Sequence, residues 1–345
     1  MQSTKFTRLL AQVKRDLTPD QHIELRQHLE AVESGRATDL ALGVRERAVG
    51  DARACPRCGA AGATKHGRDQ RGRQRFRCRS TSSGGCGRTF NSLTATPFAG
   101  MRKPEKWHAF AKALSNGFIS IDRLDAMDLG VTRLTIWRWR NRFLKAQALR
   151  QAEMLGGVVE ADETYFKTSY KGSRGWTRGN PPENRPPRYR GEPAIKRGIS
   201  SEQVAVLAAV DSSGNIFESK INSLGDIRPT LRDRIEPGSI ICSDGVRSYV
   251  RLALETRSEH RRIWTPTTKS KARKLKGGKP RQKGRLGLGR VNSHHQRMET
   301  FVNRLARGAS TGNLSTYLGW QRTVGRAGFD AESLLYDALR IPTPK

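Results

Sequence analysis

Two aspartates in the second half of the chain combine a reactive side chain with a position in or at the end of an apolar run. Asp162 lies in the run 157–166, and Asp244 ends the run 239–244 and is followed by Gly245. If the two runs form adjacent parallel strands, the carboxylates lie side by side, and a bound divalent cation relieves their repulsion. Such oxygen ligands suit Mg²⁺ or Mn²⁺. Two such ions can activate a nucleophilic oxygen and stabilise the leaving oxygen during attack on a phosphodiester.

Each aspartate also has an ordinary alternative role. Asp162 sits in a chain rich in arginine and would then form a salt bridge, and Asp244 would be a turn residue before glycine. Strand alternation places Glu160 on the face of Asp162 and Glu163 on the opposite face. A structural role is therefore favoured for Glu163.

Two further side chains that can bind a metal lie on the helix predicted over 291–305. Asn292 and Glu299 are two turns apart on it, so they share a face but lie about 10 Å from each other, and only one can reach the metals. A carboxylate binds Mg²⁺ better than an amide does, which favours Glu299. His294 and His295 are candidates for positioning DNA, with a packed or solvated role as the alternative.

The elements that must position these acids follow from the apolar pattern after residue 155. Strand patterns are followed by helix and strand patterns in alternation, an order typical of an RNase H-like domain. The predicted strands are 157–166, 203–211, 215–221, 239–244 and 262–264, and the predicted helices are 227–235, 248–254 and 291–305.

Four cysteines form a second group with metal-binding chemistry. Cys55 and Cys58 have the two-residue spacing that directs both sulfurs at one ion, whereas seven residues rich in Ser and Gly separate Cys78 from Cys86. Tetrahedral thiolate ligation of a structural Zn²⁺ is favoured over disulfides because no secretory signal is present. Short strands between the pairs predict a zinc ribbon with an inserted loop.

Two helical segments flank the ribbon. Residues 5–33 are amphipathic and interrupted at Pro19, where Thr18 can cap the second helix of a small hairpin. Residues 120–143 read as helix, glycine turn and helix, which predicts a helix-turn-helix, with a plain helical hairpin as the alternative. Its second helix carries an apolar stripe of Leu134, Trp137 and Leu144. The arginines expected to contact DNA are Arg133, Arg138, Arg140 and Arg142.

The charge of the chain points to a polyanionic partner. Its 64 Lys and Arg against 32 Asp and Glu give a net charge of +32, which favours double-stranded DNA or another nucleic acid. A ribosome-associated structural protein would have the same charge. Neither a signal peptide nor a long apolar run is present, so a cytoplasmic protein, nucleoid-associated when bound to DNA, is expected.

Two basic segments are predicted as loops that become ordered on the DNA backbone. Residues 269–290 contain ten Lys or Arg and no acid, and 167–197 contain nine Lys or Arg with Trp176 placed to stack on a base. A solvated tail is the alternative for 269–290. The basic candidates there are Lys269, Lys271, Arg273, Lys274 and Lys276.

Several short motifs together resemble the ISXO-type insertion-sequence transposases, over nearly the whole chain. The motifs are VEADETY at 159–165, KRGISSEQV at 196–204, SDG at 243–245, VNSHHQRM at 291–298 and YLGW at 317–320. The resemblance implies DNA transposition, by hydrolysis at the element ends and attack of the freed 3′-OH on target DNA.

The resemblance also bears on the site residues. Asp162 and Asp244 match the first two catalytic positions of the family. A branch whose third residue is an asparagine inside Val-Asn-x-x-His favours Asn292, although the lysine usual at position 299 in that branch is missing here. The sequence therefore leans narrowly to Asn292 and leaves Glu299 open. A homodimer or higher oligomer is expected, since two DNA ends must meet.

The sequence thus predicts a multidomain α+β protein. Its predicted regions are N-terminal helices at 1–50, the zinc ribbon at 51–95, the helix-turn-helix at 100–150, an α/β RNase H-like DDE core at 155–325 with basic loops at 167–200 and 266–290, and a C-terminal tail at 326–345. The competing functions are a DNA-binding regulator that has lost catalysis and an RNase H-like nuclease acting on RNA–DNA hybrids.

Overall fold

The computed structural model describes residues 2–183, 194–195, 198–263, 286–324, 326 and 328–340. The chain is mixed α/β and divides into two compact units. Unit 1 comprises Met1–Gln147 with Val324–Lys345, and unit 2 comprises Ala148–Thr323. No helix in the described part of the chain is long and apolar enough to cross a membrane.

Unit 1 begins with two helices, α1 (Gln2–Asp16) and α2 (Pro19–Ala52). As predicted, Thr18 caps α2 and Pro19 occupies its first turn. The Thr18 hydroxyl accepts a hydrogen bond from the Gln21 amide at 3.3 Å, and the Gln21 side chain accepts one from the Thr18 amide at 2.9 Å. This reciprocal capping box satisfies two donors that the helix start leaves unpaired.

A three-stranded antiparallel sheet follows α2, with the order β1-β2-β3. Its strands are β1 (Thr64–Arg68), β2 (Gln74–Arg77) and β3 (Thr89–Asn91). The sheet is too small for a large core. Phe76 and Phe90 stack at 5.6 Å between ring centroids and pack with Val49 of α2 and the buried Cys55 and Cys78.

The rest of unit 1 is helical: α3 (Trp107–Ser115), α4 (Ile121–Asp125), α5 (Arg133–Leu149) and α10 (Ala331–Arg340). Helix α10 lies where the sequence was assigned to a tail. Its apolar positions Leu334, Leu335, Ala338 and Leu339 recur at helical spacing, are buried, and pack against α3 and α2. The last helix therefore belongs to the N-terminal unit.

Unit 2 is built on a five-stranded sheet with the order β6-β5-β4-β7-β8. The first three strands in sequence pair antiparallel, whereas β7 is parallel to β4 and β8 is parallel to β7. The strands are β4 (Val158–Lys167), β5 (Gln203–Val210), β6 (Ile216–Ile221), β7 (Ile240–Ser243) and β8 (Glu259–Arg262).

Helices cover both faces of this sheet. One core, around Val159, Leu207 and Ile241, lies under α6 (Ile227–Leu231) and α7 (Arg247–Glu255). The other, around Val206 and Cys242, lies under α8 (Gly289–Glu299) and α9 (Leu314–Thr323).

Three elements of unit 2 differ from the sequence prediction. Helix α6 is short and continues as a 3₁₀ turn, Arg232–Arg234. The last strand is Glu259–Arg262, earlier than the predicted 262–264. Its four residues pair with the four residues of β7, from Ile240 with Glu259 to Ser243 with Arg262. The predicted helix 291–305 changes after Glu299 into a π-helix, Thr300–Leu305.

The position of α10 yields a stability prediction. Leu335→Ala removes a fully buried side chain, which we expect to lower the free energy of unfolding of unit 1 by about 2–5 kcal/mol. Urea unfolding followed by the fluorescence of the buried Trp107 measures this loss. Leu254→Ala, at a leucine 76% exposed, is the matched control and should leave the transition unchanged. Equal effects of the two substitutions would contradict the packing of α10.

Candidate functional site

The four cysteines meet at one end of the small sheet of unit 1. Their sulfurs all lie within 4.8 Å of one another, which could hold a metal ion such as zinc. The Sγ atoms of Cys55 and Cys86 are 3.7 Å apart, and those of Cys58 and Cys78 are 3.6 Å apart. Sulfurs about 2.3 Å from a tetrahedral Zn²⁺ are separated by about 3.8 Å, so the cluster fits the ion.

Both knuckles of the cluster are fixed by backbone turns. In the first, the Gly59 amide donates to the Cys55 carbonyl at 2.8 Å. The seven-residue insert of the second knuckle is closed by a 3₁₀ turn at Thr81–Ser83. A Cβ at Gly85 would lie 2.2 Å from the Arg79 carbonyl oxygen, so the insert needs glycine there. The long spacing therefore still brings Cys86 to the cluster.

The electrostatics of the cluster favour a metal thiolate. A hydrogen bond from the Arg88 backbone, together with hydrogen bonds from the other cysteines, lowers the pKa of Cys86 to about 7. For Cys58 the Ala60 backbone acts in the same direction, but burial and the other three thiols raise its pKa to about 11. Four neutral thiols therefore cannot all ionise easily without a cation among them.

Helix α5, the predicted recognition helix, presents fewer arginines than the sequence indicated. Arg140 is buried and donates to the Ile119 carbonyl at 3.4 Å. Arg142 donates to the Ala99 carbonyl at 2.8 Å, and Arg133 pairs with Asp122 at 2.5 Å. Arg138 is exposed on the helix surface.

The apolar face of α5 explains this difference. Ile136, Trp139 and Phe143 form the buried stripe, which brings Arg140 inward with it. Leu134 and Trp137, predicted to be in the stripe, are 55% and 45% exposed. Leu144, the third member of the predicted stripe, is buried as predicted, whereas Ile136 and Trp139 take the places predicted for Leu134 and Trp137.

The other DNA-binding candidates of the sequence lie in or beside the basic loops. Trp176 begins a 3₁₀ turn, Trp176–Arg178, and its ring contacts Tyr170 edge-on at 5.6 Å. The structure thus places a hydrophobic contact on one side of this ring. Lys269, Lys271, Arg273, Lys274 and Lys276 lie outside the described residues.

Asp162 and Asp244 lie on neighbouring parallel strands of unit 2. Glu160 of β4 is aligned with Cys242 of β7, so two residues further along the two chains Asp162 is level with Asp244. Burial, and beyond it the charge of Asp244, raises the pKa of Asp162 to about 6. The two carboxylates therefore repel each other in a partly desolvated place.

The alternative role of Asp162, a salt bridge to an arginine, is not found among the described residues, where Asp162 forms no ion pair with an arginine or lysine. Asp244 does have a turn role, since its Oδ1 accepts from the Val246 amide at 3.1 Å and Gly245 has a φ of 95°. That turn directs the chain away and leaves the carboxylate at the strand end.

Glu163 lies on the opposite face of β4, as expected from strand alternation. The hydroxyl of the buried Tyr249 on α7 donates to Glu163 Oε1 at 2.5 Å. Burial, reinforced by Asp162 and Asp244 and opposed by the Tyr249 hydrogen bond, raises the pKa of Glu163 to about 7. Glu163 therefore belongs to the same electrostatic cluster without sharing its face.

Helix α8 runs alongside β4 with a matched spacing. Glu160 accepts from the Val291 amide at 3.1 Å, and Thr164 donates to Glu299 Oε1 at 3.0 Å. Between these points, His295 forms a hydrogen bond with the backbone of Asp162. Every second residue of the strand thus lies opposite every fourth residue of the helix. The spacings match because two strand residues and four helix residues each span about 6–7 Å.

Buried carboxylates hold α8 in this position. Glu160 also accepts from the Arg290 amide at 2.6 Å and from the Arg290 guanidinium at 3.0 Å. Glu218 of β6 accepts from His294 Nε2 at 2.5 Å and pairs with the Arg322 guanidinium. No role for Glu218 is predicted from the sequence. Its signal is an acid at a buried position of the strand Ile216–Ile221.

The rotation of α8 decides which residues flank the aspartates. At about 100° per residue, His294 lies on one side of the buried Val291 and directs its ring to Glu218 on β6. The opposite edge, towards β7, carries Asn292, His295 and Glu299. Among the described residues, however, no third acid or histidine joins Asp162 and Asp244 as closely as the cysteines join one another.

Comparison with protein-family models and with curated proteins finds no match for this chain.

The cysteine cluster yields a metal-content prediction. We expect the protein to contain zinc in equimolar amount, and Cys58→Ser to lose most of it, because a three-thiolate site binds zinc more weakly. Elemental analysis of the purified protein measures this. Cys242→Ala is the control, since Cys242 is buried in β7, away from the cluster. Zinc loss in both variants, or in neither, would contradict the assignment.

The carboxylate pair yields a pH prediction. Because the pKa of Asp162 rises on folding from 3.8 to about 6, the folded protein loses stability as pH rises through this window. Asp162→Asn removes this pH-dependent loss of stability. Without metal, its free energy of unfolding at pH 8 should exceed that of the wild type by about 2–3 kcal/mol, and the difference should fall to zero near pH 4. Urea unfolding at several pH values measures this.

Magnesium provides the second arm of that experiment. Mg²⁺ should stabilise the wild-type protein and should stabilise Asp162→Asn much less, because one of the paired charges is gone. Asp233→Asn, at an exposed surface aspartate, should behave like the wild type. A destabilised Asp162→Asn at pH 8 would show that the carboxylate is satisfied by other groups.

Proposed function

We propose that this protein is a DNA transposase of the insertion-sequence type, with an RNase H-like catalytic core in unit 2. The observation that carries the proposal is the parallel pairing of β4 with β7, which brings Asp162 close enough to Asp244 for the charge of Asp244 to help raise the pKa of Asp162. An antiparallel meander of three strands, followed by two parallel strands separated by helices, supports the RNase H-like assignment. The sequence motifs at these same positions support the transposase assignment.

The two aspartates supply the metal-binding chemistry of the proposed site. The partly buried Asp162, whose pKa is raised to about 6, and the exposed Asp244 beside it form a donor set that suits hard divalent cations such as Mg²⁺ or Mn²⁺. When bound, these ions activate the attacking oxygen and stabilise the leaving oxygen.

Glu299 is the better candidate for the third ligand. It lies on the edge of α8 that faces β7 and contacts Thr164, the next residue after Asp162 on that face of β4. Asn292 lies on the same edge but one turn before His295, level with Glu160 and Cys242. A carboxylate also suits the metal better than an amide.

DNA binding is proposed for the basic surface of both units. The carboxylates of the proposed site repel the phosphates of a DNA substrate, so basic residues outside the site must bind them. The net charge of +32 supplies such residues. In unit 1, the candidates are the exposed Arg138 of α5 and the basic residues of the cysteine-bound ribbon, such as Arg75 and Arg88. These contacts position the DNA and do not take part in the reaction.

The proposal predicts separable binding and catalysis. Asp162→Asn and Asp244→Asn should each lower Mg²⁺-dependent strand transfer of the element's flanking ends by about 10³-fold or more, because each removes a metal ligand. Binding of end DNA, measured by fluorescence anisotropy, should be retained. Asp233→Asn is the matched control and should transfer strands like the wild type.

Other outcomes of this assay identify the competing functions. Wild-type protein that binds the ends but neither cleaves nor transfers them points to a regulator. Faster cleavage of an RNA–DNA hybrid than of duplex DNA points to a nuclease. Wild-type levels of strand transfer by both Asp162→Asn and Asp244→Asn would contradict the proposal.

The third ligand has its own test. Glu299→Ala should abolish strand transfer, whereas Asn292→Ala should reduce it by no more than about tenfold, as expected for a flanking residue. Glu299→Gln should also be inactive, since it keeps the Thr164 hydrogen bond but removes the charge. Activity retained in Glu299→Gln and lost in Asn292→Ala would assign the third position to Asn292.

A further inference from the structure

Helix α1 carries an apolar stripe that the described chain does not cover. Phe6, Leu9, Leu10 and Val13 recur at the spacing of one helix face. Phe6 is 60% exposed and Leu9 is 54% exposed. A helix of this length is marginal in water unless its apolar face is packed. The stripe therefore calls for a partner.

The first half of α2 carries a second stripe, formed by Leu25, Leu29 and Val32. Leu29 is 53% exposed and Val32 is 41% exposed. At about 100° per residue, the buried Ser34 lies on the opposite side of the helix from Leu25. Ser34 belongs to the side of α2 that contacts α3 through His108. The apolar stripe of α2 thus faces away from the rest of unit 1.

The two helices do not cover each other within one chain, although only Leu17 and Thr18 separate them. Their charges are nevertheless opposite. Helix α1 has four cations and one acid, whereas residues 19–33 have four acids and one cation. Lys5 and Lys14 flank the stripe of α1, and Glu24 and Glu33 flank the stripe of α2.

We infer that a second copy of this chain covers these stripes, with α1 of each copy packed against α2 of the other. The surface is self-complementary: a basic apolar stripe and an acidic apolar stripe occur on the same chain, as a two-fold symmetric dimer requires. Nucleic acid does not fit, because the α2 stripe is acidic and apolar. The acidic flank equally disfavours an anionic membrane. This inference does not depend on the proposed function.

The first test is the mass of the full-length protein in solution. Light scattering of nuclease-treated, DNA-free protein at micromolar concentration should give twice the chain mass of 38.5 kDa. Leu9→Glu combined with Leu29→Glu should weaken self-association by roughly 100-fold or more and give monomers, because two charges enter the apolar contact. Leu254→Glu makes the same change at a leucine of unit 2 that is 76% exposed, and should remain dimeric.

Charge exchange distinguishes pairing between copies from pairing within one chain. One variant carries Lys5→Glu and Lys14→Glu, and the other carries Glu24→Lys and Glu33→Lys. Each variant alone places like charges against each other and should be monomeric. Mixed, the two variants place opposite charges at both contacts and should form a heterodimer, detected by capture of a tag on one of them.

The remaining outcomes overturn the inference. A monomeric wild-type protein, or a mixture of variants that stays monomeric while both remain folded by circular dichroism, excludes the exchanged pairing. Wild-type protein that is monomeric in solution but cosediments with anionic vesicles through α1 assigns the stripe to a membrane surface. Dimerisation that Leu9→Glu with Leu29→Glu does not weaken locates the interface elsewhere. None of these results bears on strand transfer, so the two proposals fail separately.

Discussion

The docking of α8 on the sheet of unit 2 is the interaction on which the rest of the candidate site depends. Glu160, only 4% exposed, accepts two backbone amides and the guanidinium at the first turn of that helix. A carboxylate at a helix N-terminus satisfies unpaired amides and interacts favourably with the helix dipole. Removing one partner of such a buried pair leaves a charge without compensation, which costs more than the pair contributes.

Glu218 fixes the rotation of the same helix. Its pairing with His294 on one side of α8 sets the direction in which the other side points, and that side carries His295 and Glu299. The Arg322 guanidinium of α9 pairs with this carboxylate in turn. The Gln151 side chain holds the backbone of the same residue, donating to the Glu218 carbonyl and accepting from the Glu218 amide. Two buried acids, Glu160 for the axial position and Glu218 for the rotation, thus place Glu299 against Thr164, two residues beyond Asp162 on β4.

The sequence predicted the strands of unit 2 well because their signals are local. The apolar runs that contain Asp162 and end at Asp244 read directly as strands, and the helix before the second run allows its parallel pairing with the first. It could not assign α10 to unit 1, since that packing joins residues separated by more than 200 positions. It misjudged α5 because Leu134 and Trp137 fit helical spacing as well as Ile136 and Trp139 do, and only tertiary contacts decide between them. The role of Glu218 likewise depends on partners distant in sequence.

The three acids of β4, Glu160, Asp162 and Glu163, differ in their partners. Glu160 is neutralised by the start of α8, and Glu163 shares a hydrogen bond with Tyr249 on the other face. Asp162 receives no cation from the described residues, although the chain has twice as many basic as acidic residues. In so basic a protein, a partly buried carboxylate left beside another at a strand end is a cost to folding that a bound cation can offset. Glu160 and Glu163 have hydrogen-bond partners, so the uncompensated repulsion on this part of the sheet is confined to Asp162 and Asp244. A divalent cation would be most favourable at that position.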